Sequence, residues 1–320
     1  MKCVRVEAFG GPDVLRVEEV KGLAPDSRQV LIDVRAIGVN PVDTYIRSGL
    51  YPVKPNLPYT PGFDAAGFVK AIGRGVKNAK INERVYVFGS VTGTYAQEVV
   101  CLDSQIYPLP KNISFEQGAS LGIPYTAAYC ALWGKARPKA GETVLIHGAS
   151  GGVGIACIQF AKKYGLKIIG TVGTDKARDL LGQLGARDVV NHHSSDFFDN
   201  IMKITRGEGV DIIMEMRADL NLDQDLRLLK KRGRIVVVGC RGSVTINPRE
   251  AMSRDAMIIG MSVMNVPAAG LRRIHSVIQE GLMSGGLRPV VGKCLPLADA
   301  ALAHKVILEP GACGKIILLP

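Results

Sequence analysis

The segment Thr143-Val-Leu-Ile-His-Gly148-Ala-Ser150-Gly151-Gly152-Val153-Gly154 runs a β-type strand straight into a turn with glycine at 148, 151 and 154, and helical spacing follows. Glycine is needed where the backbone turns sharply and where a bulky anion must approach it closely. The N–H groups that open the following helix then face that anion with the positive end of the helix dipole. Val153, Ala156, Cys157, Phe160 and Ala161 make one apolar stripe on this helix, Lys162 and Lys163 lie off it, and Gly165 stands where a C′ glycine ends a helix. Three spaced glycines alone describe any tight strand-to-helix turn. Here the strand, the helix and the next strand, Leu166–Val172, are all present, and together they predict a pyrophosphate-binding βαβ unit.

The end of the second strand bears on which dinucleotide is bound. Sites for NAD usually place Asp or Glu there, about 20 residues on, to bond the ribose 2′-hydroxyl. This strand ends Gly170-Thr171-Val172-Gly173-Thr174, without a carboxylate. A carboxylate would repel a 2′-phosphate; small residues leave room for one, and Lys176 or Arg178 can pair with it. Asp175 is expected as the next helix's N-cap. NADPH is therefore expected over NADH, the competing reading of Lys176 and Arg178 being a solvated first helical turn.

Asp188–Asn191, Val210–Met216, Arg234–Gly239 and Met257–Val263 are further β-runs separated by helical stretches. With Thr143–His147 and Leu166–Val172 they make six, nearly continuous in Val and Ile, as strands covered on both faces are. This predicts an α/β fold with a Rossmann doubly wound parallel sheet over 120–264. Residues 1–119 read instead as a small, irregular, mostly β domain, with short runs such as Val30–Arg35 broken by Gly10-Gly11-Pro12 and Ala24-Pro25-Asp26. Residues 265–320 open with a helix, Ala268–Met283, and close with the strand Gly314–Leu319. They are too few for a third domain, so 265–320 is expected to join 1–119.

A hydrophobic fraction of 47% with 22% charged residues is that of a soluble globular chain with cores to bury. The net charge of +11 is spread evenly: residues 120–264 hold 20 basic and 14 acidic residues, leaving +6 there and +5 elsewhere. No basic arm or tail marks a nucleic-acid footprint. Seven cysteines, never closer than 19 residues, argue against a disulfide framework and for the reduced thiols of a cytoplasmic protein. The first residues alternate like a strand and lack a signal peptide's apolar stretch, and no run approaches the ~18 apolar residues of a membrane span. Secreted, membrane, fibrous and disordered classes are excluded on these grounds.

Gly38-Val-Asn40-Pro41-Val-Asp43-Thr-Tyr45-Ile-Arg47-Ser-Gly49, Pro58-Tyr59-Thr-Pro61-Gly62 and Ile123-Pro124-Tyr125-Thr-Ala-Ala-Tyr129 look like segments of the medium-chain dehydrogenase/reductases. With His147–Gly154, Asn247-Pro248-Arg249 and the closing Gly314–Leu319, the chain resembles the zinc-free quinone oxidoreductase branch, the group that includes the zeta-crystallins. The resemblance runs from the first strand to the C-terminus. It implies a GroES-like catalytic domain split between the two ends, NADPH-dependent reduction of quinones, especially ortho-quinones, and a homotetramer or homodimer. Carried over residue by residue, it implies nucleotide contacts at Tyr45, Ser150, Gly151, Gly152, Val153, Gly173, His192, Asn221, Val238, Gly239, Cys240 and Arg241, with Met261, Ser262 and Val263 a further contact segment. Many relatives carry a phosphate-binding Lys one place later than Lys176, where Ala177 stands. Zeta-crystallin relatives also bind AU-rich RNA, which implies a possible second partner.

Zinc alcohol dehydrogenases of this superfamily carry a Cys where this chain reads Val39-Asn40-Pro41 and a Gly-His-Glu where it reads Gly62-Phe63-Asp64. Catalytic zinc needs three N, S or O ligands, Phe63 cannot ligate, and no metal is expected. Without a Lewis acid to polarise an alcohol, an acceptor that is already electrophilic fits better. Asn40 and Tyr45 are candidate donors near the nicotinamide, and Tyr51 and Tyr59 candidates for the acceptor pocket. For each the competing role is local: Asn40 precedes Pro41, and Tyr51 and Tyr59 stand beside prolines in loops. The alternative activity is reduction of the C=C bond of an enal or enone.

Overall fold

Short strands separated by Gly- and Pro-containing turns build the first part of the chain in the computed structural model, which describes residues 1–311 and 313–320. β1 (Lys2–Arg5) and β2 (Arg16–Glu19) form an antiparallel pair. β3 (Gln29–Gly38) pairs antiparallel with β4 (Asp64–Ile72) and with β6 (Glu98–Leu102). β5 (Arg84–Phe88) joins β4 to β7 (Ile106–Pro108). Val30, Ile32, Val34, Val69, Val87 and Val99 are buried in the core between them. α1 (Pro41–Arg47) leaves β3 almost directly. Pro41 suits its first position because no intrahelical bond is lost there, and the Asp43 carboxylate accepts the Asn40 N–H at 2.8 Å. α2 (Phe115–Gly118) and α3 (Gly122–Tyr129) follow.

Next come six parallel strands: β8 (Thr143–Ile146), β9 (Lys167–Val172), β10 (Asp188–Asn191), β11 (Val210–Glu215), β12 (Leu229–Val237) and β13 (Met257–Gly260). Their order in the sheet is β10-β9-β8-β11-β12-β13. The connecting helices are α4 (Gly152–Lys163), α5 (Asp175–Leu184), α6 (Phe197–Ile204), α7 (Ala218–Leu228) and α8 (Pro248–Arg254). Leu145, Ile169, Ile213 and Ile235 from the strands pack with Phe197, Ile201, Leu222 and Leu226 from the helices. The chain changes direction across the sheet between β8 and β11. In such folds the ligand crevice opens at the carboxyl ends of those strands.

Two local expectations are corrected. Thr174, not Asp175, caps α5, its hydroxyl accepting from the Ala177 N–H at 3.3 Å, and Asp175 stands inside the first turn, where its charge suits the dipole. The basic run Lys230-Lys231-Arg232, which in sequence reads as the close of a helix favouring the negative end of its dipole, does not close one. α7 ends at Leu228, and these residues enter β12, with Arg232 at φ 62, a backbone state no right-handed helix holds. Lys230 pairs there with Glu208 at 2.9 Å, so its charge is answered by a carboxylate instead of a helix end.

The chain's last part adds α9 (Ala268–Met283), β14 (Val291–Pro296), α10 (Ala300–Val306) and β15 (Lys315–Leu319). β15 pairs parallel with β14 and antiparallel with the end of β3, opposing Ile317 to Gly38. Two compact units result: Met1–Ile123 with His275–Pro310 and Gly314–Pro320, and Pro124–Ile274 with Gly311–Cys313. Their limits fall within α3 and α9, at 123/124 and 274/275, both later in the chain than the 119/120 and 264/265 read from the sequence. Among the described residues no helix is long and apolar enough to cross a membrane.

Candidate functional site

Every expected nucleotide contact of the second unit follows the carboxyl end of a parallel strand. At the end of β8, Gly148 takes φ +55, a conformation that other residues adopt only with strain, and Gly151 becomes the N-cap of α4. Among the described residues no side chain caps this helix, so its first N–H groups remain for an outside acceptor. A Cβ on Gly154 would stand 2.5 Å from the Gly148 carbonyl oxygen, and one on Gly239 would stand 2.4 Å from that of Met216. At Gly151 an added Cβ would meet nothing nearer than the Gly148 oxygen at 3.4 Å. Glycine closes the turn at 154 and 239 and leaves it open at 151, which fits a pyrophosphate.

Lys176 is exposed in the first turn of α5, and Ala177 is buried behind it. Arg178 is also exposed, but its Nη1 donates to the Val189 carbonyl at 3.0 Å. Gly173 ends β9 against the next loop, where a Cβ would stand 2.9 Å from His192 Nε2. Burial first, then His193 and His147, lower the His192 imidazole, keeping it a neutral donor or acceptor. Asn221 turns its amide nitrogen onto the Glu215 carboxylate, 3.2 Å from each oxygen, which leaves its carbonyl end for a ligand. Val238 and Gly239 are fixed by N–H bonds to the Glu215 carbonyl, and the Arg241 N–H donates to Asp219 Oδ1 at 2.9 Å. The Cys240 thiol donates to the Gly242 carbonyl. After β13, the Met261 N–H donates to Val237, and Ser262 caps the short turn Val263–Asn265.

Beside these residues lies a cluster that the sequence did not disclose. His147 Nε2 is 2.8 Å from Asp225 Oδ1 and 3.4 Å from Glu215 Oε2, and all three side chains are buried. Their ligand atoms lie within 4.8 Å of one another, near enough to hold a metal ion, yet the shortest contact is a hydrogen bond. The one available signal was Glu215, a carboxylate inside the otherwise apolar run Ile212–Met216.

In the other unit, α1, β4 and β15 bring together Asn40, Asp64 and Lys315. The Lys315 ammonium donates to Asn40 Oδ1 and lies 3.3 Å from Asp64 Oδ2; Asn40 Nδ2 donates to the same oxygen at 2.9 Å, and the Ile123 N–H to Asp64 Oδ1 at 2.9 Å. Burial lifts the Asp64 carboxyl and lowers the Lys315 ammonium, each opposed by its partner's charge. At the places where zinc-dependent relatives hold their metal, this donor set has an amide, a phenyl ring and a carboxylate closed by an ammonium. It does not fit a catalytic zinc.

Asn40, expected as a donor near the nicotinamide, is 1% exposed and spends both ends of its amide inside this group, Nδ2 on Asp64 and Oδ1 on Lys315. The Tyr59 hydroxyl is also interior, without a partner among the described residues, and burial and then Asp43 push it up to about 12. Tyr45 and Tyr51 are half-buried and coupled through the Tyr51 N–H, which donates to the Tyr45 carbonyl at 3.2 Å. Deeper in, the Tyr95 hydroxyl donates to Asp43 Oδ2 at 3.1 Å and meets His304 Nε2 at 3.0 Å. Burial lifts the Asp43 carboxyl to about 7.

Residues 26–111 match the alcohol dehydrogenase GroES-like domain, and residues 152–279 match the zinc-binding dehydrogenase domain. The chain is 48% identical to a quinone oxidoreductase of Rattus norvegicus, with 100% of this chain and 98% of that one covered. Identity to a quinone oxidoreductase of Homo sapiens is 46%, with the same shares covered. Among solved structures, the quinone oxidoreductase of Escherichia coli complexed with NADPH matches with a TM-score of 0.91 at 31% identity over 100% of both chains.

Proposed function

This chain belongs to the quinone oxidoreductases of the medium-chain dehydrogenase/reductase superfamily, and on that premise we propose that it reduces quinones, ortho-quinones foremost, with NADPH and without zinc. The observation that carries the zinc-free part is the Asn40–Asp64–Lys315 group, which places an ammonium where the metal-dependent relatives need ligands. Bound NADPH supplies the reducing equivalents from nicotinamide C4. The protein's own part is orientation. The first turn of α4 receives the pyrophosphate, and Lys176 with His192 receives the 2′-phosphate, Arg178 being held by Val189. Asn221, Val238 to Arg241 and Met261 to Val263 hold the rest of the dinucleotide, with Tyr45 at its nicotinamide end. Tyr45 and Tyr51 are the phenols left to stabilise developing oxygen charge on the acceptor, since Asn40 and Tyr59 face inward. The functional division is a catalytic domain of 1–119 with 265–320 and an inserted nucleotide domain, 120–264.

Self-association as a homotetramer or homodimer is supported by β13, an edge strand with Met257 and Ile258 exposed. The even spread of positive charge marks no surface for AU-rich RNA, and the enzyme reading does not depend on one. Cytoplasmic location is proposed from the seven free cysteines. NADPH oxidation followed at about 340 nm on chelator-treated protein, with an ortho-quinone, an enal and NADH in parallel, tests the reading. Turnover with NADPH and quinone, and little with NADH, is expected. Turnover with the enal alone would transfer the activity to C=C reduction, and restoration of activity by added zinc would sink the metal-free mechanism.

A further inference from the structure

His147, Glu215 and Asp225 come from the end of β8, the end of β11 and the middle of α7, and none touches the acceptor in the proposed reaction. Each nonetheless leads to a loop with nucleotide contacts. His147 immediately precedes Gly148, and its N–H donates to the Met214 carbonyl at 3.1 Å. The Glu215 carbonyl accepts the N–H groups of Val238 and Gly239 at 2.8 and 3.2 Å, while its carboxylate accepts the Arg217 N–H and the Asn221 amide. Asp225, bonded to His147, ties α7 to β8. Displacing one member shifts the turn after β8, Asn221 and the 238–241 loop together.

The cluster is also constrained in charge. Asp225 Oδ2 finds no donor among the described residues, and a second carboxyl is buried beside it. Burial removes two carboxyl groups from bulk water there, which penalises their charged forms and favours retention of protons. Burial, with Asp225 adding to it, raises the Glu215 carboxyl to about 8. Burial lowers His147, but Asp225 and then Glu215 outweigh it and hold the imidazole at about 9. At neutral pH Glu215 and the doubly protonated His147 imidazole thus each keep a proton inside the cluster. The other charged or titratable groups around it are Arg217, paired with Asp219 at 2.9 Å, and His192 with His193 against it.

Resting on the reading that this unit binds NADPH, we propose that His147, Glu215 and Asp225 are positioning residues for the dinucleotide. They form a buried proton-sharing cluster that locks the 148–153 turn to Asn221 and the 238–241 loop and keeps unbalanced negative charge from behind the pyrophosphate. Loss of one proton on raising the pH leaves a negative charge beneath the anion-binding turn, and NADPH binding weakens.

The test is the NADPH dissociation constant, read from cofactor fluorescence between about pH 7 and about pH 9.5 in the wild type, Asp225→Asn and His147→Gln, with melting curves alongside. The wild type loses about tenfold in affinity across that range, and Asp225→Asn binds about tenfold more weakly at neutral pH with a nearly flat profile. The kcat with quinone at saturating NADPH stays within about twofold, separating positioning from chemistry. Wild-type affinity at neutral pH for a variant that keeps the pH step overturns the proposal. If the variants do not fold, a flat wild-type profile overturns it alone. Weaker binding after treatment with a chelator would assign the cluster to a metal ion and also overturn it. Failure of the wild type to bind NADPH at any pH overturns the underlying functional reading, and this inference with it.

Discussion

Lys176 and Arg178 stand two residues apart in one helical turn, and sequence gives no reason to prefer either as the 2′-phosphate ligand. The difference lies in what each already holds: Arg178 donates to the Val189 carbonyl, whereas Lys176 is exposed. A charged hydrogen bond to phosphate contributes about 1.5–3 kcal/mol, so Lys176→Ala is expected to raise the KM for NADPH at least tenfold and to leave that for NADH within about twofold. Arg178→Ala is expected to change the NADPH KM by less than about threefold. Steady-state kinetics with both cofactors decide the matter, and the reverse pattern would move the phosphate to Arg178. The same limit explains what sequence missed in the two buried groups. Asn40 is legible as a motif residue, but its partner Lys315 is 275 positions away. His147 reads as the end of a strand until Asp225, 78 residues on, is folded against it.

Elements were more legible than residues, because β-branched runs and glycine turns are written locally. The six parallel strands all form, and the glycine turn joins β8 to α4 at the expected place. Ends were less legible. Thr174 and Asp175 are both good caps, and only the backbone decides which hydroxyl or carboxylate faces the free N–H. Lys230-Lys231-Arg232 resembles a helix end, yet it runs in β12, with Lys230 paired to Glu208. The strand with the clearest consequence is β13, the sheet's edge beyond β12. Met257 is 48% and Ile258 42% exposed there, and one side of the strand has unpaired backbone groups. Such an edge invites pairing with a second copy of itself. Ile258→Lys is expected to shift the protein from its assembled form to monomers by light scattering, while its far-ultraviolet dichroism stays the same. A wild type that is monomeric at micromolar concentration would sink this assignment.

Across the whole molecule, buried titratable groups set an unusual pH dependence of stability. Folding stability rises with pH wherever the unfolded chain binds more protons than the folded one, by about 1.4 kcal/mol per pH unit for each proton. Burial depresses His275, which meets the Tyr86 hydroxyl at 2.9 Å, and His304 to about 3. These two therefore favour the unfolded state as the pH falls below their ordinary value of 6.5. Asp43, Glu215 and His147 are raised to about 7, 8 and 9, so their contribution is full below their unfolded values and is lost as the pH rises through the folded ones. Asp64 is raised and Lys315 lowered by burial within one pair, so their shifts oppose each other. Between about pH 4.5 and pH 6.5 the unfolded chain protonates His147, His192, His275 and His304, while the folded chain holds protons on His147, Asp43 and Glu215 and lowers the other three imidazoles, so the opposing slopes offset in large part and stability rises gently with pH. Above that window only the folded state still holds these protons. The melting temperature is thus expected to rise only gently from about pH 4.5 to 6.5, to fall on the acid side below about pH 4 and to fall again by about pH 9. Glu215→Gln removes one proton from the alkaline limb and is expected to make it shallower. Scanning calorimetry across this range checks both limbs. A maximum above about pH 8 would mean that the buried carboxyl groups are ionised in the folded protein, and would remove the basis for a proton-retaining cluster behind the nucleotide turn.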